Sequence, residues 1–406
     1  MPKYKYKAKN LDNKVIKGIF YAQDEEDLRD IIANQNYYLI SSKKIAESAD
    51  LFTFLDKVRY EDLAILCDQL SVMLASGLEV VKAIDILKEN TKIKKLQNIL
   101  DDIDVTIQQG KMLSEAFAKY PKTFPTFFRN MVEIGEKSGK LEETFANLSE
   151  YYANAAASKR KIRSALSYPI FLICLAFGVI ALLALYIIPM FNEIFIDMNA
   201  ELPLISRIIV SISDFIKNNF PFIILGIILL GFLYLFLIKR PKFIRLMDAF
   251  KLKFFISKDV VIALATARFT RGFGLLISSG LPVVDSMTTM SNLLDNEIIK
   301  ERLKIATNEV KRGKTIAKSI ATIDTFPRML VEMLTIGEST GSLEYVLKRV
   351  TSYYDEQVNI KIKKMTSMIE PILIMFVALI VVFVIFAVFL PILELQDSLS
   401  QLGSQV

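Results

Sequence analysis

Three stretches of the chain carry no charged residue: Tyr168–Phe191, Phe220–Ile238 and Pro371–Leu393. Each holds roughly the ~20 apolar residues that a helix needs to cross a bilayer core, so all three are predicted to be transmembrane helices. The first and third are alike. Each follows a cluster of cations, reaches a proline at its start (Pro169, Pro371) and closes on a second proline (Pro189, Pro391). Proline costs little in the first turn of a helix, where its missing N–H would have had no partner. Pro169 and Pro371 are therefore expected as helix starts at the membrane edge, and Pro189 and Pro391 as exits.

Elsewhere the pattern changes period. Lys3–Lys9 alternates polar and apolar as a half-buried strand does, Asn10–Asn13 holds turn residues and Val15–Ala22 resumes the strand pattern. Acidic residues at 24–27 open a helix expected to reach about Asn34, and Tyr37–Ile45 closes a small ββαβ unit. Residues 46–58 read as a linker. From Tyr60 the spacing is helical: Leu63, Leu66, Cys67, Leu70, Met73 and Leu74 form one stripe, ended by Gly77. Further helices are expected at Glu79–Glu89, Ile93–Gln109, Met112–Lys119, Thr126–Lys137 and Lys140–Ser164, the last running straight into the first span.

The same bundle then recurs. Gly77-Leu78 returns as Gly280-Leu281 and Gly110-Lys111 as Gly313-Lys314, 203 positions later. With one residue gained in the first copy between Lys111 and Phe124, the offset becomes 202. It then carries Phe124-Pro125 to Phe326-Pro327, Gly135-Glu136 to Gly337-Glu338, Gly139 to Gly341, Tyr151-Tyr152 to Tyr353-Tyr354, and both prolines of the span. Glycines and prolines agreeing in order mark an internal duplication. A middle span is then needed to bring the second bundle back to the side of the first.

The expected fold is an all-α membrane protein with two homologous cytoplasmic bundles in tandem, three transmembrane helices and an N-terminal α+β unit. Its parts are 1–45, the linker 46–58, the first bundle 59–167, span 168–191, an outside loop 192–219, span 220–238, the second bundle 239–370, span 371–393 and an outside tail 394–406.

Charge orients this arrangement. The 406-residue chain is 52% apolar with a net charge of +6. Lys159, Arg160, Lys161 and Arg163 precede the first span, Lys239–Lys253 holds six cations after the second, and Lys361, Lys363 and Lys364 precede the third. The loop between the first two spans is acidic. The positive-inside rule then puts the N-terminus in the cytoplasm and the loop and tail outside. Cations that flank spans are explained by lipid headgroups, so no direct nucleic-acid partner is expected. No apolar signal segment opens the chain. Histidine is absent, which removes imidazole as base or metal ligand. Cys67 and Cys174 belong to a cytoplasmic helix and a span, so no disulfide is expected between them.

Candidate chemistry is sparse. Arg312-Gly313-Lys314-Thr315 suggests a phosphate loop, but Asn308 stands where the motif needs its first glycine; Gly110-Lys111 has Val105 there and Met112 in place of Ser or Thr. Both read as glycine caps between helices. Glu136 and Glu338, in Gly135–Gly139 and Gly337–Gly341, are suited to a cation or a partner arginine, or more simply to capping the next helix. Asp101, Asp102 and Asp104 lack the spacing of a calcium loop and read as a solvated face. Glu370, just before Pro371 and opposite Tyr168 in the first copy, is placed either for a salt bridge (to a partner's membrane helix or a nearby lysine) or for the headgroup region at a helix N-terminus. No catalytic, cofactor-binding or metal-ligating residues are expected.

The run Lys161-Ile162, Ala165-Leu166, Tyr168-Pro169, Leu172, Ala176, Leu183 and Ile187-Ile188-Pro189 resembles the signature of the inner-membrane platform proteins of type II secretion and type IV pilus machines (type II secretion F, PilC-like). The second copy keeps the outline but has Glu370 where the signature has Tyr or Thr. The resemblance covers essentially the whole chain. It implies a non-enzymatic scaffold in the bacterial inner membrane that associates into dimers or larger assemblies. The implied partners are a cytoplasmic hexameric assembly ATPase, the transmembrane helices of pilins or pseudopilins, and other inner-membrane assembly proteins. A transporter or a transmembrane sensor built on a duplicated module is the alternative. The charge-free span interiors speak against the first, and the short outside loop against the second.

Overall fold

A computed structural model describes residues 3–9, 15–21, 25–34, 37–45, 58–182, 219–238 and 240–403, with isolated positions between 186 and 215. The expected turn 10–13, most of the linker 46–58, Pro189 and nearly all of the loop 192–219 lie outside these residues.

The described chain divides into two compact units, residues 1–58 with 88–101, and 59–87 with 102–406. In the first, β1 (Lys3–Lys9) pairs antiparallel with β2 (Val15–Tyr21) on one side and β3 (Tyr38–Ile45) on the other, with α1 (Glu25–Asn34) between β2 and β3 in sequence. The expected ββαβ order is thus present as one three-stranded sheet. A register shift between Lys7 and Ala8 bulges the β1–β3 pairing. Tyr4, Ala8 and Ile32 are its buried core, flanked by Tyr6, Tyr37 and Leu39. Alternation along β1 aims Tyr4, Tyr6 and Ala8 at one face. That segment 88–101 belongs with these residues was not foreseen from the repeat.

The second unit contains most of the duplication. In the first copy the helices are α2 (Tyr60–Ala75), α3 (Val80–Asn90), α4 (Lys94–Gln108), α5 (Leu113–Ala118), α6 (Thr126–Lys137) and α7 (Leu141–Leu182). Then come α8 (Phe220–Leu237) and α9 (Pro241–Lys253). The second copy repeats the order as α10 (Phe255–Ser278), α11 (Val283–Leu293), α12 (Glu297–Lys311), α13 (Ile316–Ala321), α14 (Arg328–Thr340) and α15 (Leu343–Gly403). Since α5 and α13 keep the longer offset, the extra residue lies between Ala118 and Phe124.

Six described glycines have positive φ: Gly77, Gly110 and Gly139, and their repeats Gly280, Gly313 and Gly341, at 67–90°. Each follows a helix end in the left-handed conformation that glycine adopts without steric cost. The next residue's N–H closes the turn, as from Leu78 to the Met73 carbonyl at 3.1 Å and from Leu281 to that of Leu276 at 3.0 Å. At Gly110 and Gly313 the N–H groups of Lys111 and Lys314 are spent in the same way, on Thr106 and Glu309. These loops present no cradle of free amides for a phosphate.

Two expectations fail at the prolines. α7 runs unbroken through Pro169 for 42 residues, and α15 through Pro371 and Pro391 for 61. Pro169 and Pro371 are interior to these helices, and α15 continues to Gly403, beyond the expected exit at Pro391. Each interior proline removes one i→i−4 bond. Continuous helix on both sides of each proline carries that loss.

Candidate functional site

The predicted landmark residues fall into a latch inside each copy and a seam between the copies. In the first latch, Glu136 reaches back to the start of α5. Its Oε1 accepts from the Leu113 N–H at 2.6 Å, and its Oε2 from the Ser114 N–H at 2.9 Å and the Ser114 hydroxyl at 2.6 Å. In the second, Glu338 accepts from the N–H groups of Ile316 (2.6 Å) and Ala317 (2.8 Å). A carboxylate on the orphan donors of a helix N-terminus satisfies hydrogen bonds and the helix dipole together. The glutamates therefore do cap helices, but the preceding short one, not the next. Sequence reasoning missed this because the capped helix lies 22 residues upstream.

The glycine before each glutamate lets two helices close. A Cβ on Gly135 would stand 2.2 Å from Thr144 Oγ1, and one on Gly337 3.0 Å from Leu343 Cδ2 and 3.2 Å from its Cα. The aspartates are also structural. Asp102 accepts from the Tyr120 hydroxyl at 2.9 Å and pairs with Lys119 at 3.3 Å, and Asp104 is buried, so this is not a plain solvated face. No group of histidine, cysteine, aspartate or glutamate among the described residues could hold a metal ion.

The seam joins α6 and α7 of the first copy to α10, α11 and α15 of the second. At its tight end Gly272 leaves room for Met290, whose sulfur a Cβ would meet at 2.5 Å, while the Tyr151 ring lies alongside at 3.6 Å, an ordinary contact distance. The Arg268 guanidinium lies 5.9 Å from the centroid of the Tyr60 ring and pairs with Asp295. Arg271 pairs with Asp355 within the second copy. Burial pushes the Tyr151 and Tyr152 hydroxyls up, keeping both neutral. It also pushes the Asp355 carboxyl up, against the pull of Arg271. At the open end, Asn130 donates to the Thr289 hydroxyl at 2.9 Å across a polar cavity of about 390 Å³, lined also by Glu133, Lys137 and Asp285.

The signature run lies on α7 from Lys161 to Ala176, and its positions from Leu183 to Pro189 fall outside the described residues. Its inward positions are Ile162, Ala165, Leu166, Pro169, Leu172 and Ala176, a 3–4 spacing, while Tyr168, Ile170, Phe171 and Phe177 point outward. On α15, which packs against α7, the inward stripe is Ile362, Met365, Ile369, Leu373 and Ile380. Small residues on such a seam let two helices approach. Lys161 donates to the Asn359 side chain at 2.6 Å across it. Glu370 and Pro371 are exposed, and Glu370 makes no ion pair with a lysine among the described residues.

The type II secretion system (T2SS) protein F family matches the chain twice, over residues 66–189 and 269–391. Both matches end on the second proline of a copy. The chain is 29% identical to the type IV pilus assembly protein PilC of Thermus thermophilus, over 98% of this chain and 100% of that one. It is 31% identical to PilC of Pseudomonas aeruginosa over 84% and 91%. It is also 26% identical to the type II secretion system protein F of Vibrio cholerae, over 99% and 100%.

Proposed function

Since the chain belongs to the type II secretion system protein F family, we propose that it is the inner-membrane platform of a type IV pilus or type II secretion machine, which couples a cytoplasmic hexameric assembly ATPase to insertion of pilin or pseudopilin helices into the fibre. Self-association and contact with other inner-membrane assembly proteins are part of this reading. The observation that carries it is continuity. Each copy's last helix runs from the Gly–Glu latch into its apolar segment without a break. At about 1.5 Å per residue, α7 alone is a rod of about 63 Å. Displacement of a bundle would therefore move the membrane end.

The spans in this reading are the apolar parts of α7, α8 and α15. By length and composition α10 is also long and apolar enough to cross a membrane. Its chemistry argues against that. Arg268 and Arg271 sit inside it in ion pairs, at about 2.5–3.5 kcal/mol each for a place in lipid. Its buried face packs on α15, and its repeat partner α2 is a bundle helix. By contrast α8 has no charged residue, and Phe222, Ile228, Leu230 and Phe232 are more than 60% exposed. Such a surface needs lipid. With α8 as the return span, both copies lie in the cytoplasm and the chain ends outside.

The platform works without nucleotide turnover of its own, because both Gly-Lys loops are closed helix caps. The test is purification in detergent with and without a hexameric assembly ATPase co-expressed from the same organism. Co-purification with no turnover by the isolated chain is the expected result. Turnover by the chain alone, or solute flux in liposomes, would overturn it.

A further inference from the structure

The two copies meet through surfaces that are not equivalent. The first contributes the Tyr151 side of α7, and the second the Arg268–Gly272 side of α10. Exchanging the roles gives the Tyr353 side of α15 and the Ile65–Gln69 side of α2. Those two make no extensive packing with each other among the described residues. Both are open. On α2, Ile65 and Val72 are 58% and 59% exposed, with exposed Asp68 and Gln69 between them. On α15, Tyr345 and Tyr353 are 62% and 42% exposed, with exposed Lys348 and Arg349 between them.

We propose that the α2 stripe of one chain docks on the α15 stripe of a second copy, repeating between chains the step that joins the two halves of one. Three observations select this occupant. Tyr353 repeats Tyr151, which is 4% exposed at the seam. Ile65, Asp68 and Gln69 stand where Arg268, Arg271 and Gly272 stand in the second copy. The two stripes carry opposite charge, Asp68 against Lys348 and Arg349, between apolar anchors of similar spacing. A contact of unlike faces propagates head to tail. With every chain rooted in one bilayer, propagation runs around the membrane normal, and a rotation that divides a full turn closes it into a ring. The proposal deepens the self-association of the reading above and rests on it.

The test uses the full chain in native membranes in a Cys174→Ala background, because Cys67 is fully buried. Oxidation of the Gln69→Cys/Tyr353→Cys double variant is expected to give a ladder of dimers and larger products. Each single-cysteine variant should give at least tenfold less. Asp68→Lys should reduce the ladder at least tenfold, and Lys348→Glu/Arg349→Glu added to it should restore the ladder. Single variants that cross-link as well as the double, a product confined within one chain, or a ladder indifferent to Asp68→Lys would each overturn the contact. Loss of the ladder with the ATPase still co-purifying overturns this contact alone. Loss of both overturns the platform reading as well.

Discussion

The two copies build one fold from different cores. The first places its aromatic volume on α5, α6, α7 and the loop before α6, where Phe117, Phe124, Phe127, Phe128 and Phe145 are fully buried. Phe117, Phe124 and Phe128 pack with ring centroids 4.6–5.0 Å apart. At the equivalent positions the second copy has Ile320, Phe326, Met329, Leu330 and Leu347. It recovers the volume on α10, where Phe269 and Phe273 stack at 5.2 Å in place of Leu66 and Leu70. The glycine caps and the glutamate latch, in contrast, are identical in kind. Backbone geometry is thus held fixed while packing drifts between layers, as expected where total core volume matters more than the site of each ring.

The largest test of that comparison is truncation. Phe128→Ala in the first copy and Phe273→Ala in the second should each cost about 3–5 kcal/mol. Leu66→Ala and Leu330→Ala, the smaller partners, should cost about 2–5 kcal/mol. Tryptophan is absent, so circular dichroism melts in detergent are the natural readout. A ring whose removal costs less than 1 kcal/mol would show that its layer is not the packed one.

Next comes the close approach beside each latch. Gly135→Ala forces its new methyl onto Thr144, whereas Gly337→Ala meets the flexible end of Leu343 first. Overpacking of this kind costs about 1–3 kcal/mol. The first copy should sit at the upper end and the second at the lower. Equal losses would mean that the two helix pairs relax alike.

The latch itself follows. Glu136→Ala strands three donors at α5, and Glu338→Ala two at α13. Buried donors left unpaired cost about 1–3 kcal/mol. The expected order is Glu136→Ala worse than Glu338→Ala, with Ser114→Ala narrowing the gap. Limited proteolysis of the loops at 119–123 and 322–325 reports each copy separately.

Much of this architecture was legible in the residues, and the physical reason is local. Gly77, Gly110 and Gly139 recur because a left-handed turn accepts little else, so the repeat could be read from its caps. Period-2 alternation marked β1, and period-3.6 stripes marked α2. What escaped depends on distance along the chain. Glu136 was visible as a cap, but its helix lies upstream and only the fold brings it near. Pro169 and Pro371 looked like helix starts because proline is cheapest there, yet neighbouring turns hold both inside α7 and α15. The unlike faces at the seam were not legible, because Ile65 and Arg268 occupy equivalent positions and only the fold shows which of the two has the other copy across from it.

The smallest effect concerns pH and belongs to the second copy alone, because Ala153 stands at the first-copy equivalent of Asp355. Burial raises the Asp355 carboxyl above its ordinary range, outweighing Arg271. A carboxyl raised in the folded state binds more protons there than when unfolded. Stability from this group is therefore greatest below the unfolded value of about 3.9 and falls as pH rises through the folded one. Asp355 is 40% exposed on its side chain, so solvent weakens the term. The wild-type chain should lose melting temperature relative to Asp355→Asn, which lacks the titration, as pH rises above about 4. At low pH the Asn variant should melt close to the wild type, since the protonated Asp355 is then neutral as well, and the difference should move in the variant's favour as pH rises. Parallel pH profiles would show that the burial of Asp355 and its pairing with Arg271 cancel, and a slope of the opposite sign that the pairing outweighs the burial.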